Sequence, residues 1–397
     1  MSKFFLLTIW AFFILLFKAD AQQLIISPQI RLPRDSTLKN NLIASLKQFL
    51  NSKELPNQKN GSVLPGTLSE TSLLLDEFKQ IEIDQESQDS IFFKPYLINL
   101  IEARDSTYSL QLSYMGIRNT QPTLRACFKL SAKREGSRFL FFSPFKQNTK
   151  GWKLNRVGLT DFFYREHLNE ANVQAYQKMI ESFDKIIGAP SIATRYYCAD
   201  NFEDALMLAG VNYKSDYNGY SKSRLTSLEN DTLLVLDGRF SNHFDNIDPH
   251  DLFHERLHLV IEPDIINRPV DEGCAYLYGG SWGIGWPTIL AQFIDYAAKN
   301  KHSDWLTLYL EREYFTQPKQ MNKSITADQR LSISYVINAL IVKKLEREKG
   351  FGAVKELLSC GKSEKGDANY FVALAKTAGI TKANFNKAVW ELIECNK

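Results

Sequence analysis

From Asp248 to Val260 the chain reads DPHDLFHERLHLV, and this run dictates a helix with one special face. Asp248 is an acidic N-cap, Pro249 takes the first helical position, where its missing N–H costs nothing, and Asp251 sits in the first turn. The helix is expected over 249–261. On it His254 and His258 are four residues apart, so both rings leave one face about one turn apart. Two imidazoles so placed can converge on one Zn²⁺ at about 2.0–2.1 Å each. Glu255 lies beside them, able to reach water at such a metal without ligating it, while Leu252 and Leu259 offer the opposite face to a core. Any fold must bury one side of this helix, keep the other open and bring a third ligand to it.

His250 adds a third histidine to the same stripe. It stands two turns, about 12 Å along the axis, from His258, too far for both rings to share a metal on a straight helix. His250 is accordingly read as a helix-start residue. The third ligand is sought in NRPVDEGCAYLYGG, where Pro269 begins a helix expected over 269–278 and Gly279-Gly280 stops it. Its first turn carries two carboxylates, Asp271 and Glu272. Either one, turned toward the motif helix, would complete a three-ligand site. Both would equally suit the positive end of a helix dipole with no metal at all.

HERLH followed by DEGCAYLYGG resembles the gluzincin metallopeptidases, in which H-E-x-x-H precedes a glutamate on an E-G-x-A-type helix. The resemblance covers roughly residues 189–397. It implies one Zn²⁺ per chain held by His254, His258 and Glu272, with Glu255 as general base. SYVINALIVKKLEREKGFGAVKELL is similar to the helix that, in aminopeptidase N-like gluzincins, carries a tyrosine steadying the oxyanion; here that tyrosine is Tyr335. The resemblance has bounds. The interval from His258 to Glu272 is shorter than in thermolysin-like or aminopeptidase N-like members, no G-x-M-E-N segment precedes the motif, and no histidine follows His302. Activity toward peptide bonds is therefore expected, without a transferred specificity. The other expectation is a metallopeptidase-like fold used as a binding or envelope-structural protein.

The compartment is read from the start of the chain. MSKFFLLTIWAFFILLFKADAQQ has a basic Lys3, an apolar run from Phe4 to Phe17 and small residues at Ala19 and Ala21, the pattern of a cleavable signal peptide over 1–21. The run is shorter than a membrane span needs, so a secreted or periplasmic protein with no membrane span after cleavage is expected. Net charge is +3 on 48 basic and 45 acidic residues, which leaves no basic field for nucleic acid. The five cysteines contain no C-x-x-C pair. Cys360 and Cys395 follow two C-terminal helices, and in an oxidising compartment a bridge between them would close a loop of about 35 residues.

The expected fold class is α+β. Residues 22–156 read as a small α+β domain: NLIASLKQFL has helical spacing, and strands are expected at Tyr108–Met115, Leu124–Leu130 and Arg138–Phe142. This part resembles cone-shaped modules of the cystatin or nuclear-transport-factor type. Residues 157–397 read as the metallopeptidase-like domain. In it NEANVQAYQKMIESFDKIIG is an amphipathic helix stopped by Gly188 and Pro190, IATRYYCA and DTLLVLDG are strands, and 328–397 is mostly helical.

Overall fold

The computed structural model describes residues 24–103, 106–219, 223–238, 243–316 and 330–397. The signal peptide expected over 1–21 lies outside the described residues, as do positions 328 and 329 of the expected helical part. In order the chain forms β1 (Ile25–Ile26), α1 (Ser36–Asn51), α2 (Leu68–Phe78), β2 (Lys94–Glu102), β3 (Thr107–Arg118), β4 (Gln121–Glu135), β5 (Arg138–Phe142) and α3 (Phe145–Asn148). Next come β6 (Lys153–Val157), β7 (Thr160–Tyr164), α4 (Glu170–Ile187), β8 (Ala193–Cys198), α5 (Phe202–Ala209), β9 (Val211–Lys214), β10 (Arg224–Glu229) and β11 (Thr232–Asp237). The rest is helical: α6 (Pro249–Leu257), α7 (Arg268–Gly279), α8 (Trp286–Lys299), α9 (Trp305–Leu310), α10 (Ile333–Lys349), α11 (Phe351–Leu358), α12 (Ala368–Ala378) and α13 (Phe385–Glu394). The protein is α+β, and among the described residues no helix is long and apolar enough to cross a membrane.

Two compact units divide the chain, one of residues 1–169 with 192–245 and the other of 170–191 with 246–397. The boundary expected between Arg156 and Val157 falls inside β6, which pairs antiparallel with β7. A cut there would break a hairpin ladder, and the strands expected in the second half, β8 and β11, belong to the first unit because β11, β8 and β7 pair side by side. That unit holds two sheets, one ordered β1-β2-β3-β4-β5 with β9 also on β4, the other β10-β11-β8-β7-β6. Strand β3 shows why the first sheet has a core face: Tyr108, Leu110, Leu112 and Tyr114, every second residue, are all buried. The turn in KREGS closes the β4–β5 hairpin with Gly136 in the left-handed region.

The second unit is organised on α10. From Ile333 to Val342 every residue except Tyr335 is buried, the signature of a helix surrounded by others. α7 packs along it at glycine distance: a Cβ on Gly273 would meet Asn338 Cβ at 2.6 Å and the backbone nitrogen of Ala339 at 2.9 Å. At its other end α7 meets the start of α6, where a Cβ on Gly279 would lie 2.5 Å from the Pro249 carbonyl and 2.6 Å from His250 N. α4 closes the buried side of α6. Arg256 donates to both oxygens of Asp184, at 2.7 and 2.8 Å, and Phe183 packs edge-on to Phe253. The motif helix is thus clamped between α4 and α7.

All five cysteines are free thiols, so the Cys360–Cys395 bridge is not formed. The two ends lie in different surroundings. The carbonyl of Cys360 accepts from Asn369, and the following Gly361 is tied to Ile265 and Asn267, whereas Cys395 ends α13 beside Lys343 and Arg347 of α10.

Candidate metal centre

α6 begins as expected, with the Asp248 side chain accepting from His250 N and Pro249 in the first turn. It ends at Leu257 instead of 261, leaving His258 as the C-cap. Leu259, Val260 and Ile261 continue in turns, and Pro263 disfavours helix in the residue before it. The third-ligand helix, α7, extends one residue beyond the expected span at each end.

Among the described residues two groups of potential ligands have their donor atoms within 4.8 Å of one another: His250, His254 and Glu272, and His254, His258 and Asp271. The set His254, His258 and Glu272 is divided between them. His250 enters because its relevant neighbour is His254, one turn away, and not His258. Its Nε2 lies 3.2 Å from His254 Nε2 and 3.4 Å from Glu272 Oε2.

The far nitrogen of each ring decides what the near one can do. His250 Nδ1 lies 2.6 Å from the Gly280 carbonyl, which can only accept, so Nδ1 carries the proton. His254 Nδ1 lies 2.7 Å from Asp271 Oδ1, and the same logic protonates it. In their neutral forms both rings therefore leave Nε2 unprotonated, and the two Nε2 atoms and a Glu272 oxygen lie within 4.8 Å of one another. Three electron pairs are crowded together there, and a proton or a cation among them relieves their repulsion. The separations suit a metal. Ligand atoms about 2.05 Å from a tetrahedral Zn²⁺ stand about 3.3 Å apart, between the 3.2 and 3.4 Å found here. A carbonyl or carboxylate on the far nitrogen is also the usual outer partner of a metal-binding histidine.

His258 is different. Its Nε2 is 3.3 Å from Asp271 Oδ2, and its side chain is 37% exposed, against 16% for His250 and 17% for His254. Asp271 is thus a bridge between two histidines. Burial opposes its ionisation, but hydrogen bonds from His254 and His258 more than offset this and hold the carboxyl at about 2. The Glu272 carboxyl is likewise lowered, against burial, by His250, His254 and Arg268. Burial works against a charge on His250, yet Glu272 and the Gly280 carbonyl raise its pKa in the metal-free chain.

Glu255, the expected general base, belongs to neither group and is partly exposed on α6, immediately after His254. Tyr335, the one partly exposed residue in the first half of α10, hydrogen-bonds Arg268 and packs its ring edge-on against Tyr276. Burial first, then the nearby Glu272, push its phenol upward, so it stays a proton donor. Arg268 in turn donates to Glu272 at 3.1 Å. Helical spacing singled out His254, His258 and Glu255, and the resemblance implied Glu272 and Tyr335; of these, His254 and Glu272 share one group and His254 and His258 the other. Spacing passed over His250 and the orienting role of Asp271, although H-x-x-x-H occurs at 250 and 254 just as at 254 and 258. No protein-family model matches this chain, and no curated protein matches it.

Proposed function

We propose that this chain is an exported, zinc-dependent hydrolase of peptide bonds whose metal is held by His250 Nε2, His254 Nε2 and Glu272. The observation that carries the reading is the convergence of those three atoms, with both imidazole Nδ1 protons already engaged by Gly280 and Asp271. Two nitrogens and one carboxylate oxygen form a donor set suited to a catalytic zinc, which keeps a fourth position for solvent. When bound, Zn²⁺ supplies a Lewis acid and a water whose pKa falls toward ~7. The chain's own groups supply the rest. Glu255 takes the proton from the attacking water at its carboxylate and returns it to the leaving amine. Tyr335, kept protonated, donates its phenolic hydrogen to the carbonyl oxygen as that oxygen becomes negative. The Gly280 carbonyl and Asp271 hold the two rings in the required tautomer.

Zinc analysis of alanine variants tests the ligand set. One equivalent should bind to the wild type and to His258→Ala, and tight binding should be lost in His250→Ala, His254→Ala and Glu272→Ala. Loss in His258→Ala with retention in His250→Ala would return the site to His254, His258 and Glu272. Peptide-pool digestion tests the reaction: Glu255→Gln should keep zinc and lose activity by roughly 10²–10⁴-fold. Zinc-loaded wild type that releases no peptide products would refute the hydrolase reading.

A further inference from the structure

The first unit carries an open recess of 710 Å³, walled by the 58–70 segment, Lys146 of α3, Arg195 of β8 and the β10–β11 turn at Glu229 and Asn230. We propose that this recess binds a short peptide with free ends, a di- or tripeptide, whose ammonium sits on Glu229 and whose carboxylate sits on Lys146 and Arg195. The site does not depend on the peptidase reading.

Strand register builds it. Thr232 of β11 pairs with Glu229 on one side and with Ala193 of β8 on the other. Residues two apart on a strand share a face, so Arg195 joins Glu229 and Thr232 on one face of the second sheet. α2 crosses that face: its Ser72 donates to Glu229 at 3.0 Å, and its Glu70 accepts from Arg195 at 2.7 Å. With β11 between them, Glu229 and Arg195 stand two strand spacings and two residues apart, about 12 Å between Cα atoms. Both side chains line the recess and shorten that gap. An extended di- or tripeptide, about 7–10 Å long, spans what is left.

The charges on the two sides are unbalanced in opposite senses. Glu229 is buried, yet neutral donors alone hold its carboxylate: Gln58 Nε2 reaches both oxygens at 3.1 Å, and the Ser72 hydroxyl reaches one. Among the described residues no cation pairs with it. A buried carboxylate without a countercharge favours an incoming ammonium. On the other side two cations share one buried carboxylate, since Arg195 and Lys146 lie 2.7 and 3.6 Å from Glu70. A zwitterion answers both imbalances, whereas a simple anion or cation would answer one and meet repulsion at the other. Val63, Leu64, Pro65 and Leu68 complete the wall and suit small aliphatic side chains.

Gln58 is the movable part. It is exposed, and its amide nitrogen occupies the place over both Glu229 oxygens that an ammonium would take. A carboxylate offers about four acceptor positions, and three hydrogen bonds already use them, so an ammonium enters by displacing that amide.

Isothermal titration calorimetry on the zinc-free full chain tests the site with three probes: Ala-Ala, N-acetyl-Ala-Ala and Ala-Ala amide. Wild type should bind Ala-Ala one to one and each blocked probe about tenfold or more weaker. Glu229→Gln should weaken Ala-Ala by about tenfold and leave N-acetyl-Ala-Ala unchanged, because that probe lacks the ammonium. Lys146→Met should weaken Ala-Ala and leave the amide probe unchanged by the same logic. Gln58→Ala should tighten Ala-Ala by about threefold or more, a gain that no folding defect produces. Glu272→Ala, in the other unit, should bind Ala-Ala like wild type, which separates this site from the histidine centre. If Glu229→Gln fails to fold, the probe series on wild type and the Gln58→Ala gain decide between them. Absence of Ala-Ala binding to wild type overturns the site, as do blocked probes that bind as well as Ala-Ala. Weaker binding in Gln58→Ala overturns the ammonium seat, and loss in Glu272→Ala with retention in Glu229→Gln and Lys146→Met moves the peptide to the histidine centre and overturns the recess.

Discussion

Asp271 offers the sharpest quantitative test of the proposed centre, because its carboxylate touches His254 without being one of the three proposed ligands. It accepts from His254 Nδ1 at 2.7 Å and reaches His258 Nε2 at 3.3 Å. A carboxylate on the outer nitrogen of a ligating histidine fixes the tautomer and raises the basicity of the inner nitrogen, and losing it lowers metal affinity by roughly 10–100-fold. That is about 1.4–2.7 kcal/mol. Asp271→Asn keeps an oxygen able to accept the Nδ1 proton but removes the charge, so the loss should sit near the lower bound, about tenfold. Asp271→Ala removes charge and acceptor together and strands a buried N–H, so it should approach about 100-fold. Zinc affinity is measured by competition with a chromogenic chelator at one fixed pH, with circular dichroism confirming that each variant is folded. The order wild type, Asn, Ala is the expected result, with Glu272→Ala weaker than all three. Wild-type affinity in Asp271→Ala would refute the outer-partner role. Loss of stoichiometric zinc in Asp271→Ala, matching a ligand deletion, would make Asp271 a ligand and move the centre toward His258.

Three other expectations can be checked separately. Gly273→Ala puts a methyl group 2.6 Å from Asn338 Cβ, so it should destabilise the protein by roughly 1–3 kcal/mol, read as a lowered denaturation midpoint. Trp282 and Gly283 both have positive φ in the tight turn from Ser281 to Ile284, and Trp282 is half exposed. Asn suits that backbone better than a bulky aromatic, so Trp282→Asn should raise stability by about 1 kcal/mol; an unchanged or lowered midpoint would show that the indole makes a compensating contact. Alkylation without reduction should label Cys395 rapidly, while Cys274 and Cys198, buried and with their thiol pKa pushed up by that burial, resist until the protein unfolds.

Local patterns located the elements well and the unit boundary poorly. β3, β5, β8 and β11 were visible as aromatic and aliphatic runs, and α4 and α7 as apolar periodicities with proline and glycine punctuation. These signals are short-range. The pairing of β11 with β8, and of β8 with β7, joins segments separated by whole helices, and no spacing rule encodes which runs will lie side by side. A boundary placed where one pattern succeeds another therefore cut the β6–β7 hairpin. The end of α6 was misplaced for a smaller reason: apolar periodicity persists through Leu259 and Ile261, but the chain must leave the helix before Pro263.

The site was legible in its residue types and illegible in its register. His250, His254 and His258 form two overlapping four-residue pairs on one stripe, and helical spacing treats them alike. Glu255 drew attention to the later pair because it completes a familiar pattern. The choice between the pairs is made by α7. Asp271 and Glu272 are neighbours on that helix, so their side chains diverge by about 100° and cannot both face the same histidine pair. Glu272 meets His250, and Asp271 meets His254 and His258. That assignment follows from how α7 crosses α6. The crossing is set by two close approaches, Gly279 against the Pro249 and His250 backbone and Gly273 against Asn338. The conformation of Gly280 then turns its carbonyl onto His250 Nδ1, which leaves Nε2 facing His254. The two close approaches and the Gly280–His250 hydrogen bond join residues at least 29 positions apart, and the crossing they set imposes the direction of each carboxylate. A glycine in DEGCAYLYGG signals that something comes close, but only the fold says what, and with it which histidine pair receives the glutamate.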